Sequence, residues 1–271
     1  MKIHLNNITI GGQTPFVLIA GPCVVENREI TFETADAIKN ICTKLNIDLI
    51  FKSSFKKANR TSLNSFTTIG VEEALKILDD IKKKFNLPII TDVHSAEDIR
   101  IAKEVADILQ IPAFLSRQSD LLYAAGESGK IVNIKKGQFL SPEDMKFVAE
   151  KVEATGNKNI MLTERGTTFG YHNLVVDMRS LVIMKNLGYP VVMDATHSVQ
   201  MPSNSNVTGG QPEFIFPLAK AAAAVGIDAL FLEVHPNPEK ALSDAGSQLK
   251  LDRLEKILIT IKKIDEISKM S

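Results

Sequence analysis

The feature that most constrains this chain is a recurrence. Short runs of β-branched and other apolar residues each close on polar or Gly/Pro-containing residues, and each is followed by a stretch with helical periodicity. There are eight such runs: FVLIAGPC (16–23), LIFKSSF (49–55), IITDVH (89–94), ILQIPAF (108–114), IVNIKK (131–136), IMLTERG (160–166), VVMDATH (191–197) and ALFLEVH (229–235). They are continuously apolar rather than alternating, so both faces of each strand are buried, as in a parallel sheet covered by helices. Amphipathic stretches fall at 30–44, 71–85, 141–156, 217–226 and 251–269. Within them, Ser141-Pro142-Glu143-Asp144 has the cap, first-turn proline and acidic groups of a helix start.

Eight strand–helix units in 271 residues predict an α/β fold of the TIM (β/α)8 barrel type. An open doubly wound sheet is disfavoured, because GPCVVE after the first run is not a Gly-rich dinucleotide fingerprint. No linker or low-complexity tract divides the chain, so residues 1–271 read as one domain. The first fifteen residues fall outside the repeat, and IHLNNITIGG predicts a β-hairpin turned at Asn6-Asn7 over one barrel mouth. MPSNSNVTGGQPE (201–213) reads as a mobile active-site loop.

Composition removes several functions. Thirty-two basic and thirty-two acidic side chains cancel, so no global field favours nucleic acid or an anionic membrane, and any anion site must be local. Aromatic content is 6% with no Trp, which argues against base-stacking platforms. Two cysteines in a chain of this length argue for a reducing compartment, and no run approaches a bilayer span or a signal peptide. A cytoplasmic protein without membrane or nucleic-acid partners is expected.

In such a barrel the active site gathers at the C-terminal ends of the strands. The residues that close the runs are Cys23, Lys52, Asp92, His94, Gln110, Lys135, Lys136, Glu164, Arg165, Asp194, His197, Glu233 and His235. Folding alone does not require charge at nearly every strand end. Lys52, Lys57, Lys135 and Arg165 come from different runs and could converge on a phosphate and a carboxylate. Lys56 and Lys136 read more simply as solvated loop lysines. Cys23, His197, Glu233 and Asp244 carry the donor types of a borderline divalent metal site. Their wide spacing leaves ordinary readings open: a buried thiol, a loop histidine, an ion-pair partner and a helix cap. The chain has no G-x-S-x-G elbow, H-E-x-x-H, Walker loop or C-x-x-C.

Longer motifs resemble one family. FKSSFKKANRTS (51–62), TDVH (91–94), QIPAFLSRQSDL (110–121), NIKKGQFLSPEDM (133–145), LTERGTTFGYHNLVVDMRS (162–180), DATHSVQMP (194–202) and LEVHPNPEKALSDAGSQL (232–249) are similar to the 3-deoxy-D-manno-octulosonate-8-phosphate (Kdo-8-phosphate) synthases. The resemblance implies a TIM-barrel homotetramer that condenses phosphoenolpyruvate with arabinose 5-phosphate and releases phosphate, on the route to the Kdo of lipopolysaccharide. It implies that Lys52, Ser54, Lys57, Lys135 and Arg165 hold phosphoenolpyruvate, that Asn59, Arg60 and Thr61 take the pentose phosphate, and that Arg117 reaches a neighbouring subunit's site. Asp92, His94 and His235 are candidates for proton transfer or sugar contacts, and Gln110 for substrate binding. Cys after Gly-Pro marks the metal-dependent branch, with Cys23, His197, Glu233 and Asp244 as ligands of Zn2+, Fe2+ or Mn2+. Lys56, Asn64 and Thr67 depart from the family pattern, all in the pentose-phosphate loop. The sister enzymes that use erythrose 4-phosphate share the GPC strand but carry K-P-R-T-S where this chain has KKANRTS.

Overall fold

The computed structural model describes residues 1–58, 65–201 and 209–270. It opens with an antiparallel hairpin of β1 (Ile3–Leu5) and β2 (Ile8–Ile10). The hairpin turns at Asn6, whose φ of 54° lies in the left-handed region that asparagine tolerates. The repeat then runs β3 (Val17–Gly21), α1 (Arg28–Leu45), β4 (Leu49–Lys52), α2 (Val71–Phe85), β5 (Ile89–Asp92), α3 (Ala96–Ala102), β6 (Ile108–Ile111), α4 (Ser119–Glu127), β7 (Ile131–Lys135), α5 (Met145–Glu153) and β8 (Ile160–Glu164). A short hairpin, β9 (Thr167–Thr168) with β10 (Leu174–Val175), precedes α6 (Arg179–Asn186). After β11 (Val191–Asp194) come β12 (Gln200–Met201) and β13 (Gly209–Gly210), then α7 (Ile215–Val225), β14 (Ala229–His235), β15 (Leu249–Lys250) and α8 (Leu254–Ser268).

Strands β3 to β8, β11 and β14 pair in parallel in that order, and β14 returns to β3, which closes the barrel. All eight apolar runs are barrel strands. Several strands end before their runs do, because the last residues of each run turn into the loop above. The five amphipathic stretches become α1, α2, α5, α7 and α8, and shorter helices complete the alternation. The start of α5 moves: it lies at Met145, not Ser141, because Pro142, Glu143 and Asp144 accept i+3 bonds in a tight lead-in turn. The Ser141 hydroxyl caps that turn, accepting the Asp144 N–H at 3.4 Å.

The core has two parts. Outward-facing strand residues such as Leu18, Phe51, Leu109, Leu162 and Leu232 pack under the helices. Inward-facing Val17, Ile19, Ile50, Ile90, Ile108, Ile131, Met161, Val192, Ala229 and Phe231 form a separate cluster with Ile3, Leu5, Ile8 and Ile10 of the hairpin. The hairpin thus plugs the N-terminal mouth and leaves the C-terminal mouth for chemistry. No helix among the described residues is long and apolar enough to cross a membrane.

Candidate active site

Side chains alternate along a strand, so parity decides what reaches the mouth. Above the inward apolar layer, the same register brings buried Lys52, Asp92, Gln110, Asn133, Lys135, Thr163, Asp194 and Glu233 into the barrel. Four of them form a directed chain. Thr163 Oγ1 donates to Asn133 Oδ1 (2.7 Å), Asn133 Nδ2 to Gln110 Oε1 (2.9 Å) and Gln110 Nε2 to Asp92 Oδ1 (2.7 Å). Ser54 donates to the other Asp92 oxygen, which lies 3.5 Å from Lys52 Nζ. Burial opposes the Asp92 charge, but Lys52, Lys57, Lys135 and the Ser54 bond outweigh it and hold the carboxyl well below its usual range. With Lys52 Nζ at 3.5 Å, Asp92 is placed as a counter-charge to the cation cluster. Both ends of the Gln110 amide are engaged inside the barrel.

Cys23, Glu233 and Asp244 each place one donor atom within 4.8 Å of the others. Gly21 lets the end of β3 lie close against β4, because a Cβ there would stand 2.0 Å from the Lys52 carbonyl oxygen. Cys23 Sγ lies 3.1 Å from Asp244 Oδ2 and 3.1 Å from Ser243 Oγ. Gln248 ties the two segments, accepting the Cys23 N–H at 3.3 Å and donating to the Ser243 carbonyl at 2.8 Å. His197 stands beside this trio rather than within the 4.8 Å set. Its Nδ1 lies 2.8 Å from Asp194 Oδ2 and its Nε2 3.6 Å from Glu233 Oε1. A carboxylate on Nδ1 fixes the tautomer that leaves Nε2 free as a ligand.

These donors fit a divalent ion. Glu233 Oε2 is buried with no hydrogen-bond partner among the described residues, a costly state that a cation relieves. Burial, Asp244 and Glu233 outweigh Lys57 and Lys52 and push the Cys23 thiol well above its usual value. Thiolate, imidazole and carboxylate together suit zinc, iron or manganese better than magnesium.

Four cations surround the trio. Lys52 Nζ lies 2.6 Å from Glu233 Oε1 and donates to the Cys23 carbonyl at 3.0 Å. Burial opposes its charge, yet Glu233 and Asp92 hold its pKa above the usual value. Lys57 Nζ is 3.6 Å from Asp244 Oδ2; against burial, Cys23 and the carboxylates push it well up. Lys135 Nζ lies 2.6 Å from Asp194 Oδ2 and 4.1 Å from the centroid of the Phe231 ring, with Lys52 Nζ 5.5 Å from that centroid. Arg165 donates from Nη2 to Gln200 Oε1 at 2.7 Å, while its buried Nη1 has no partner among the described residues. Three lysines beside a buried guanidinium with an unsatisfied donor form a cradle for an oxyanion.

Other candidates lie elsewhere. His235 is buried with Nε2 3.6 Å from Glu26 Oε2, and its Nδ1 accepts the Asn237 N–H at 3.0 Å. His94 and Lys56 both face Asp98, at 3.4 and 2.8 Å. Arg117 is exposed in the turn after β6. The Thr67 carbonyl accepts the Lys57 N–H at 2.9 Å. Asn59, Arg60, Thr61 and Asn64 lie outside the described residues, as does 202–208 of the loop expected at 201–213. Lys136 is a correction: it is fully buried, not solvated, and pairs with Glu164. Sequence reasoning gave no role to Phe231, although it lies two residues before Glu233 on the inward register.

The sequence profile described as the DAHP synthetase I family matches residues 1–270. The chain is 56% identical over 269 residues to the 2-dehydro-3-deoxyphosphooctonate aldolase of Fusobacterium nucleatum subsp. nucleatum, covering 99% of this chain and 97% of that protein. The protein of that name from Geotalea uraniireducens is 54% identical over 269 residues, covering 99% of each chain. That from Rickettsia felis is 54% identical over 268 residues, covering 98% of each. The match begins at residue 1 and so includes the N-terminal hairpin.

Proposed function

The chain belongs to the DAHP synthetase I family, and from that premise we propose that it condenses phosphoenolpyruvate with D-arabinose 5-phosphate and water to give 3-deoxy-D-manno-octulosonate 8-phosphate and inorganic phosphate. The observation that carries this reading is the cradle of Lys52, Lys57, Lys135 and Arg165 at the barrel mouth, joined to the full-length similarity to these relatives.

The reaction asks little covalent chemistry of the protein. C3 of phosphoenolpyruvate attacks the aldehyde carbon of the pentose phosphate, water adds at C2, and the C–O bond to phosphate then breaks. Lys135, Arg165, Lys57 and Lys52 neutralise the phosphate and carboxylate of phosphoenolpyruvate and fix its reacting face. Asp92 and Glu233 stand against Lys52, and Asp194 against Lys135, which aims both ammonium groups. Asn59, Arg60 and Thr61 are assigned to the pentose phosphate by resemblance alone. Cys23, His197, Glu233 and Asp244 would hold a divalent ion, and the orphaned Glu233 oxygen supports that assignment. Such an ion would supply Lewis-acid polarisation or orient water or the aldehyde, without redox change.

The family resemblance further supports a homotetramer in which Arg117 reaches a neighbour. Exposed Phe114, Phe139, Phe169 and Tyr171 offer aromatic surface for such a contact. Two free cysteines, one a proposed ligand, fit a reducing cytoplasm. The test of substrate is phosphate release from phosphoenolpyruvate with each aldose phosphate in turn. We expect turnover with arabinose 5-phosphate; turnover only with erythrose 4-phosphate would overturn the assignment.

A further inference from the structure

Lys135 and Lys136 are neighbours, yet they do opposite things. Parity sends Lys135 into the barrel and Lys136 outward, where it is 0% exposed behind the mouth. Glu164, also outward, lies beneath Arg165 in the same way on the adjacent strand. The two meet: Lys136 Nζ stands 3.5 Å from Glu164 Oε1 and donates to Thr167 Oγ1 at 2.9 Å and the Leu140 carbonyl at 3.4 Å.

Glu164 uses its remaining capacity on the turn that carries Arg165. Its Oε1 accepts the backbone N–H groups of Arg165 (3.0 Å) and Gly166 (2.6 Å), and its Oε2 accepts the Ser180 hydroxyl at the start of α6. Gly166 holds φ at 92°, a conformation that β-carbon-bearing residues rarely adopt, so the turn is fixed from two sides. One buried ion pair therefore links the loop after β7, the turn after β8, the β9–β10 hairpin and α6.

We propose that Lys136 and Glu164 are positioning residues that set Lys135 and Arg165 relative to one another and so determine affinity for phosphoenolpyruvate. This rests on the reading of Lys135 and Arg165 as the phosphoenolpyruvate cradle. Neither Lys136 nor Glu164 touches the substrate. A buried charge stripped of its partner displaces its surroundings, and a misplacement of about 1 Å costs on the order of a hundredfold in a positioned site.

The test is a double-mutant cycle on the full-length, metal-supplied protein, read by calorimetric binding of phosphoenolpyruvate alone and by separate KM values for the two substrates. Lys136→Met leaves Glu164 buried without its lysine partner, and phosphoenolpyruvate affinity is expected to fall roughly tenfold to a hundredfold while the KM for arabinose 5-phosphate stays within about twofold. Glu164→Gln keeps an acceptor for the turn and costs less. The double variant Lys136→Met/Glu164→Gln removes the stranded charge, and its affinity is expected to return to about that of Glu164→Gln. It also serves as the folded comparison where Lys136→Met alone fails to fold. Equal losses for both substrates, additive effects in the cycle, or unchanged affinity in folded Lys136→Met would overturn the proposal. Arg165→Gln separates the premise: if it leaves phosphoenolpyruvate binding intact, the cradle reading fails and the positioning role with it.

Discussion

Arg165 keeps a buried guanidinium nitrogen with no partner among the described residues. A charge-assisted hydrogen bond to an oxyanion contributes about 1.5–3 kcal/mol, so Arg165→Gln should lower kcat/KM for phosphoenolpyruvate by roughly tenfold to a hundredfold. Arg165→Lys should restore only part, because a lysine lacks the planar fork. Steady-state kinetics with phosphoenolpyruvate varied would check both. The other cysteine has no comparable task. Burial and Asp48 push the Cys42 thiol up to about 12, so it stays protonated within α1, and Cys42→Ala should leave turnover unchanged.

Much of the residue-scale picture was legible, for a physical reason. Lysines inside apolar runs need counter-charges, and Lys52 and Lys135 have them in Glu233 and Asp194. Lys136 was misread because a Lys-Lys pair at a strand end looks solvated until parity assigns one residue to each face. His235 closes its run as Glu233 nearly does, but only the folded chain reveals Glu26 waiting beside it.

Among the elements, the N-terminal hairpin is the piece most separable from the chemistry. Its isoleucines complete the inner apolar cluster at the mouth opposite the site. Ile10→Ala should cost about 2–5 kcal/mol of stability, seen as a lower urea midpoint, with the KM values little changed. Helix α3 offers a pH test. Ser95 caps it, and Asp98 in its first turn accepts the His94 N–H at 3.0 Å and Lys56 Nζ at 2.8 Å. Burial raises the Asp98 pKa, but the His94 ring at 3.4 Å, Lys56 and the His94 N–H prevail and hold it at about 2 against 3.8 unperturbed. A depressed carboxyl contributes stability above its unfolded pKa and loses it as pH falls through the folded one. The loss should therefore run from about pH 4 to about pH 2 and amount to roughly 2 kcal/mol. Urea unfolding against pH should show this limb in the native chain and a flatter one in Asp98→Asn.

For the whole molecule, the repeat of eight apolar runs sufficed to name the barrel, because burial on both faces leaves a parallel strand no polar alternation. What it could not convey is how the mouth is neutralised. The chain carries no net charge, and the site repeats that balance locally: Lys52, Lys57, Lys135 and Arg165 stand among Asp92, Asp194, Glu233 and Asp244. A divalent ion among Cys23, Glu233 and Asp244 would shift that balance toward the anionic substrate, so the account stands or falls on the ion. The direct measurement is phosphate release from phosphoenolpyruvate and arabinose 5-phosphate before and after chelation, with metal content determined on the same samples. Turnover is expected to disappear as the metal is removed and to return on adding Zn2+, Fe2+ or Mn2+. Undiminished turnover in protein shown to be metal-free would contradict it.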